Sequence, residues 1–167
     1  MNKEFPEPEA TLACVLKQEE ALKFESFTAE DGWELGLTAR RLALMKPGAN
    51  LAIDVTVGGV QVFRATVGTA TPNNARWIGR KINVVMETWK SSLRTKLEMM
   101  LNNRTVEEFG WSQAEHALAG GCVPIWVQGL GVVGTITVSG LPQKEDHQLA
   151  VDALAAYLGV SAPSVLS

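Results

Sequence analysis

The chain has 167 residues, 46% of them hydrophobic and 20% charged, the composition of an ordinary globular domain long enough to bury roughly 70% of its unfolded surface. A formal charge of −3 and a pI near 5.4 give no global attraction for nucleic acid or an anionic membrane surface. No apolar run approaches the ~20 residues that cross a bilayer, and the opening MNKEFPEPEATLACVLKQEE mixes Glu and Pro where a signal core is apolar. The expectation is a cytoplasmic chain with no nucleic-acid partner and no membrane insertion.

Residues 1–8 are polar and carry Pro6 and Pro8, which predicts a loose arm able to pack on a neighbouring subunit. A helix follows, with Leu12, Val15, Leu16 and Leu22 on one face and Lys17, Glu19, Glu20 and Lys23 on the other. Thr28 with Asp31 forms a capping-box pattern that starts a second helix. Leu35, Leu42 and Met45 are its inward residues, Arg40 and Arg41 its solvated face, and Pro47-Gly48 its stop. Cys14 and Cys122 lie far apart with no CxxC pairing, which fits two reduced, packed thiols.

Leu51–Val57 alternates as a strand, and Gly58-Gly59 predicts a two-residue hairpin turn into a second strand. That turn pairs Val57 with Val60 and Val55 with Val62, which puts Phe63 and Val67 on the face of Asp54 and Thr56. Both faces of the sheet are then apolar, and the second cover is more protein or another subunit. Thr71, Asn73 and Asn74 cap a helix whose buried stripe is Ile78, Ile82, Val85 and Trp89. Ser91-Ser92 interrupts it before a further helix containing Leu93, Leu97, Met100 and Leu101, and Thr105 with Glu108 forms another capping-box pattern.

Six of the fifteen glycines then fall between Gly120 and Gly140. They frame a hairpin in which Val123, Ile125 and Val127 alternate on one strand and Val132, Gly134, Ile136 and Val138 on the next. A last helix buries Leu149, Ala153, Leu154, Tyr157 and Leu158, Gly159 ends it, and residues 160–167 form a mobile tail. Two strand hairpins among helices predict one α+β domain over residues 9–159, with a mainly antiparallel sheet.

The usual catalytic signatures are missing: no GxSxG, HExxH, Walker loop or CxxCH occurs. Gly129-Leu-Gly131 is not followed by a helix, which removes a dinucleotide fingerprint. His116 and His147 are the two imidazoles; each can ligate haem iron or another metal, shuttle a proton, or simply bond backbone near a loop end. Arg76, Arg80 and Lys81, near the Asn73-Asn74 helix start, suit a carboxylate or propionate, an intersubunit contact, or plain solvation. Trp77, Trp89, Trp111 and Trp126 read as packing or interface residues.

GGCVPIWVQGLGVVGTITVSGLPQKEDHQLAVDAL resembles the C-terminal signature of the haem-degrading-domain family, the HbpS and GlcG-like proteins, and particularly a branch in which VSGLP precedes an acidic pair and His. LAIDVTVGGVQVFRATVGTATPNNARWIGRKINVVMETWKSS is similar to the same branch's strand pair, loop and helix. The matching positions include Asn74, Trp77, Arg80, Lys81, Asn83, Ser91 and Ser92, and then Gly120, Gly121, Pro124, Gly134, Ser139, Gly140 and Asp146. The resemblance implies an α-β-α, profilin-like sandwich assembled as a homo-oligomer. Some relatives bind or degrade haem, which makes haem or a related tetrapyrrole the implied ligand. The alternative is a non-enzymatic oligomeric scaffold or adaptor.

Overall fold

The computed structural model describes residues 4–167. Its elements, in order, are α1 (Pro8–Ala21), β1 (Lys23–Phe24), α2 (Ala29–Leu44), β2 (Leu51–Val57) and β3 (Val60–Val67), then α3 (Pro72–Thr88) and α4 (Ser92–Leu101). A short 3-10 turn, Glu107–Phe109, precedes β4 (Cys122–Val127), β5 (Gly131–Ser139) and α5 (Gln143–Leu158). The strands form one sheet in the order β1-β4-β5-β2-β3. Every pairing is antiparallel except that of β1 with β4. This is the α+β sandwich expected from the sequence, with β1 as a strand the alternation did not reveal, because two residues are too few to show a period.

The helices divide between the two faces. α2 and α5 cover one face, where Leu35, Ala39, Leu149 and Leu154 meet Leu51, Ile53, Ile125 and Ile136 in the main core. α3 covers the other face over β4 and β5, and α4 packs against both α3 and α1. A second apolar cluster joins Phe5, Val15, Leu93, Leu97 and Val165. It changes the reading of both chain ends. Phe5, in the expected loose arm, and Val165, in the expected mobile tail, are buried side chains of their own subunit. Residues 1–3 of that arm lie outside the described residues.

The β2–β3 register corrects a second expectation. Val57 does face Val60, but Thr56 pairs with Gln61 and Val55 with Phe63, so the ladder skips Val62 at a bulge. One extra residue reverses every later side chain. Phe63 and Val67 therefore join Val55 and Leu51 in the core under α2, while Arg64 stands opposite Asp54. The second face of the sheet is consequently polar: Asp54, Thr135 and Thr137 are buried on it. Asp54 is held by Thr56 Oγ1 at 2.7 Å, Gln61 Nε2 at 2.6 Å and the Arg64 guanidinium at 2.8 Å.

Three smaller differences have local causes. Met45 is exposed rather than inward, because it is the α2 C-cap, and Leu44 just before it is exposed as well. Trp89 is the left-handed cap of α3 and half exposed, and the helix buries Lys81 and Val84 in the stripe instead. Thr105 caps nothing: the 3-10 turn starts after Val106 without a side-chain cap. The expected box at Thr28 does form, with Asp31 Oδ2 accepting the Thr28 N–H at 2.7 Å.

α2 approaches the sheet closely only because Gly36 has no side chain. A Cβ there meets Phe63 Cγ at 2.2 Å and two further ring carbons within 2.6 Å. Gly36→Val is expected to cost about 2–3 kcal/mol through overpacking against a ring that has no free space to enter. Urea unfolding of the variant, at unchanged m-value, measures that loss.

Candidate functional site

The start of α3 is fastened to the end of β5. Asn74 Oδ1 accepts the Thr71 N–H at 2.8 Å as a helix-capping bond, and its Nδ2 donates to Ser139 O at 2.9 Å. Two turns further along the same side of the helix comes Lys81, only 2% exposed. Its Nζ donates to Val138 O and to Asp146 Oδ2, each at 3.0 Å. Asp146, in the first turns of α5, also accepts the Leu141 N–H at 2.9 Å. Burial pushes the Asp146 carboxyl above its ordinary pKa, while Lys81 and the backbone amides oppose that shift. Gly121 makes room for this pair, since a Cβ at that position lies 2.4 Å from Val138 O and 2.6 Å from Lys81 Nζ.

Above the pair lies a cleft of about 290 Å³ walled by Asn73, Asn74, Trp77, Ser139, Leu141 and Gln143. Gln143 Oε1 accepts the Gly120 N–H at 3.1 Å. On the other side of Trp77, Arg76, Gly79, Arg80 and Asn83 form a second, more open groove of about 300 Å³ with Ala114 and Glu115. Asn83 Nδ2 donates to Glu115 O at 2.8 Å and sets the groove's far wall. The Arg80 guanidinium lies 4.6 Å above the Trp77 ring, and its Nε is buried without a hydrogen-bond partner.

His116 follows that wall directly. Its ring stacks on Trp111 at 4.8 Å, and its Nε2 is 2.7 Å from Glu87 Oε1. Trp111 Nε1 donates to the other Glu87 oxygen at 2.6 Å. The His116 contact, first, and the Trp111 bond hold the Glu87 carboxyl below its usual pKa. The carboxylate accepts from His116 Nε2, and Nδ1 on the other side of the ring is buried with no partner in the structure.

His147 is fully buried elsewhere, between α5 and α1. Its Nε2 lies 2.8 Å from Gln18 Oε1, while Gln18 Nε2 donates to Gln148 Oε1 at 3.1 Å and Pro163 O at 2.7 Å. With the Gln18 amide nitrogen already donating, its oxygen receives the His147 Nε2–H. Burial lowers the His147 pKa to about 3.

The sequence-predicted site residues thus fall in three places. Asn74, Trp77, Lys81, Ser139, Gly140 and Asp146 share the cleft. Arg76, Arg80 and Asn83 share the groove beside it, with His116 just beyond its wall, and His147 belongs to an interior network. The remaining motif positions organise the frame: Ser91 caps α4, Ser92 Oγ bridges the Cys122 backbone, Pro124 pairs with Thr135, and Gly134 lies opposite Val57. Cys14 and Cys122 are free thiols, and burial pushes the Cys122 thiol up to about 12. Glu87 and Gln18 were missed. No local pattern marks a polar helix residue whose partner lies 29 or 129 positions away.

A five-stranded sheet layered between helices, with a polar cleft where α3 meets α5, defines a compact α+β domain. This chain belongs to the HbpS-like haem degrading protein family, whose model matches residues 27–155. It is 43% identical over 150 residues to a UPF0303 protein of Rhizobium leguminosarum bv. trifolii, covering 90% of each chain. Among solved structures it is similar to Ybr137w, with a TM-score of 0.82 and 28% identity over 95% of this chain and 96% of that one. The fold also matches PduOC, solved as a heme complex, with a TM-score of 0.65 and 15% identity over 83% of this chain and 98% of that one. No helix among the described residues is long and apolar enough to cross a membrane.

Two expectations follow from the buried groups. Lys81→Met strands the Asp146 charge and is expected to cost ~3–5 kcal/mol, whereas adding Asp146→Leu recovers part of that loss. A double-mutant cycle in urea reads the difference. His147 binds a proton less readily in the folded than in the unfolded chain, so its contribution is intact above the unfolded pKa of 6.5 and is lost as pH falls towards 3. Between pH 7 and 5 that loss amounts to ~2 kcal/mol, and His147→Gln is expected to flatten the stability–pH slope across that window.

Proposed function

We propose that this chain is a homo-oligomeric protein that binds haem or a related carboxylated tetrapyrrole in the groove beside Arg76 and Arg80. The observation that carries the reading is a pair of guanidiniums one helical turn apart with no carboxylate partner among the described residues. The buried Arg80 Nε lacks an acceptor, and a propionate oxygen supplies one. The Trp77 ring carries the Arg80 guanidinium on its face and so positions that charge. His116, oriented through Nε2 by Glu87 and with a buried, unpartnered Nδ1, follows Glu115 of that groove and is the candidate imidazole for haem iron. Lys81 and His147 are engaged in the interior and serve the fold in this reading. Membership of a haem-degrading family and the heme complex of PduOC support the choice of ligand.

A second reading, an oligomeric scaffold or adaptor, draws on the exposed Trp33, Trp89 and Leu130 side chains, large apolar groups that assembly buries.

Titration of the purified protein with hemin, followed by absorbance and by mass in solution, separates the two. Tetrapyrrole binding predicts a saturable Soret shift near one hemin per chain. Replacing Arg76 and Arg80 with Ala is expected to weaken binding ~10- to 100-fold, the worth of one or two charge-assisted hydrogen bonds. His116→Ala is expected to abolish the shifted band. Unsaturable absorbance from a defined oligomer leaves the scaffold reading in place.

A further inference from the structure

Ser139 is the last residue of β5, and with Thr135 and Thr137 it alternates onto the polar face of the sheet under α3. Only 5% of it is exposed, yet its hydroxyl makes no hydrogen bond among the described residues; its backbone carbonyl takes the Asn74 amide. A polar side chain buried so deeply ordinarily has a partner. Thr135 Oγ1, four residues earlier, is unpartnered too but sealed in the interior, whereas Ser139 lines the cleft between α3 and α5.

The groups around that hydroxyl are unevenly used. Asn74 Oδ1, Gln143 Oε1, Val138 O, Ser139 O and both Asp146 oxygens already accept hydrogen bonds. Donors are left over. The Lys81 ammonium has three N–H groups and meets two acceptors, Val138 O and Asp146 Oδ2. Gln143 uses only its oxygen, which leaves Nε2 free, and Trp77 Nε1 makes no hydrogen bond among the described residues. The Asp146 charge is met by Lys81 and by the Gly140 and Leu141 amides. α5 begins at Gln143 on the cleft wall, with Pro142 as N-cap and no side-chain cap, which adds the positive end of a 16-residue helix.

We infer that this cleft binds a small organic carboxylate whose other polar atoms are acceptors, as in a 2-oxo acid. The Ser139 hydroxyl, the third Lys81 N–H and Gln143 Nε2 are the donors it uses. A volume of about 290 Å³ lies at the small end of ligand pockets and suits a molecule of a few carbons. The site is separate from the Arg76–Arg80 groove, which lies on the other side of Trp77, and stands without the haem reading.

Titration of isotope-labelled protein with sodium pyruvate, sodium acetate and acetamide at constant ionic strength tests it by nuclear magnetic resonance. The chain has five tryptophans, and Trp77→Phe identifies the Trp77 indole signal. Pyruvate is expected to move that signal saturably, acetate to bind more weakly and acetamide most weakly. Ser139→Ala deletes a hydroxyl that bonds to nothing, so its urea midpoint is expected to hold while pyruvate affinity falls ~10-fold, the worth of one charge-assisted hydrogen bond. Gln143→Glu keeps an oxygen for the Gly120 N–H but replaces the free amide with a carboxylate oxygen, and is expected to abolish binding. Arg76→Ala/Arg80→Ala is expected to bind pyruvate as the wild type does, which separates this site from hemin binding. A wild type without a saturable pyruvate shift overturns the inference and leaves the haem reading standing. Undiminished binding in folded Ser139→Ala and Gln143→Glu overturns the site, and acetamide binding as tightly as pyruvate overturns the carboxylate.

Discussion

Lys81 joins the two helical layers past the end of the sheet. It leaves α3 on one face, gives one hydrogen bond to Val138 O in β5, and ends on Asp146 at the start of α5 on the other face. Desolvating two charges offsets much of their attraction, so the pair contributes less to net stability than to geometry. Once formed, it admits few alternatives. Asp146 also holds the Leu141 amide, and Asn74 holds Ser139, so the chain between β5 and α5 is fixed from both sides. The positions of Trp77, Ser139 and Gln143 around the cleft all follow from that fixing.

The sheet beneath is two-faced for a reason of equal weight. One extra residue at Val62 sends Phe63 towards α2 and Arg64 towards Asp54. Without the bulge, a buried carboxylate would lose its guanidinium and the core would lose its ring. Asp54 is fully buried and takes bonds from Thr56, Gln61 and Arg64, so its charge is compensated by neighbours on its own hairpin. The hairpin therefore carries its polar face as a finished unit, and α3 lies mainly over β4 and β5 with a smaller contact to β2.

Much of this architecture was legible in the sequence because it is local. The glycine-framed hairpin, the Gly58-Gly59 turn, the Thr28 box and the Ser91 break each depend on residues within a few positions of one another. What the sequence hid is set by distant partners. Strict alternation from the turn placed Phe63 on the wrong face, since nothing in VGGVQVF marks which residue the ladder will skip. Lys81 reads as a surface charge until Asp146, 65 positions on, is brought beside it. The family-like positions around the cleft were found together as motifs, yet their common purpose appears only when α3 and α5 meet.

α3 finally shows why one cationic stripe divides into two kinds of residue. Lys81 points into the domain and is neutralised by Asp146, whereas Arg76 and Arg80 line a groove with Glu115 and make no ion pair among the described residues. A helix that needed only solvation would place its cations in water, free to move. Here Arg80 is laid on Trp77 and its Nε is taken out of solvent, which costs free energy unless an acceptor arrives. The interior pair freezes the helix, and the frozen helix holds its second cation against the Trp77 ring with one N–H out of solvent and unpartnered.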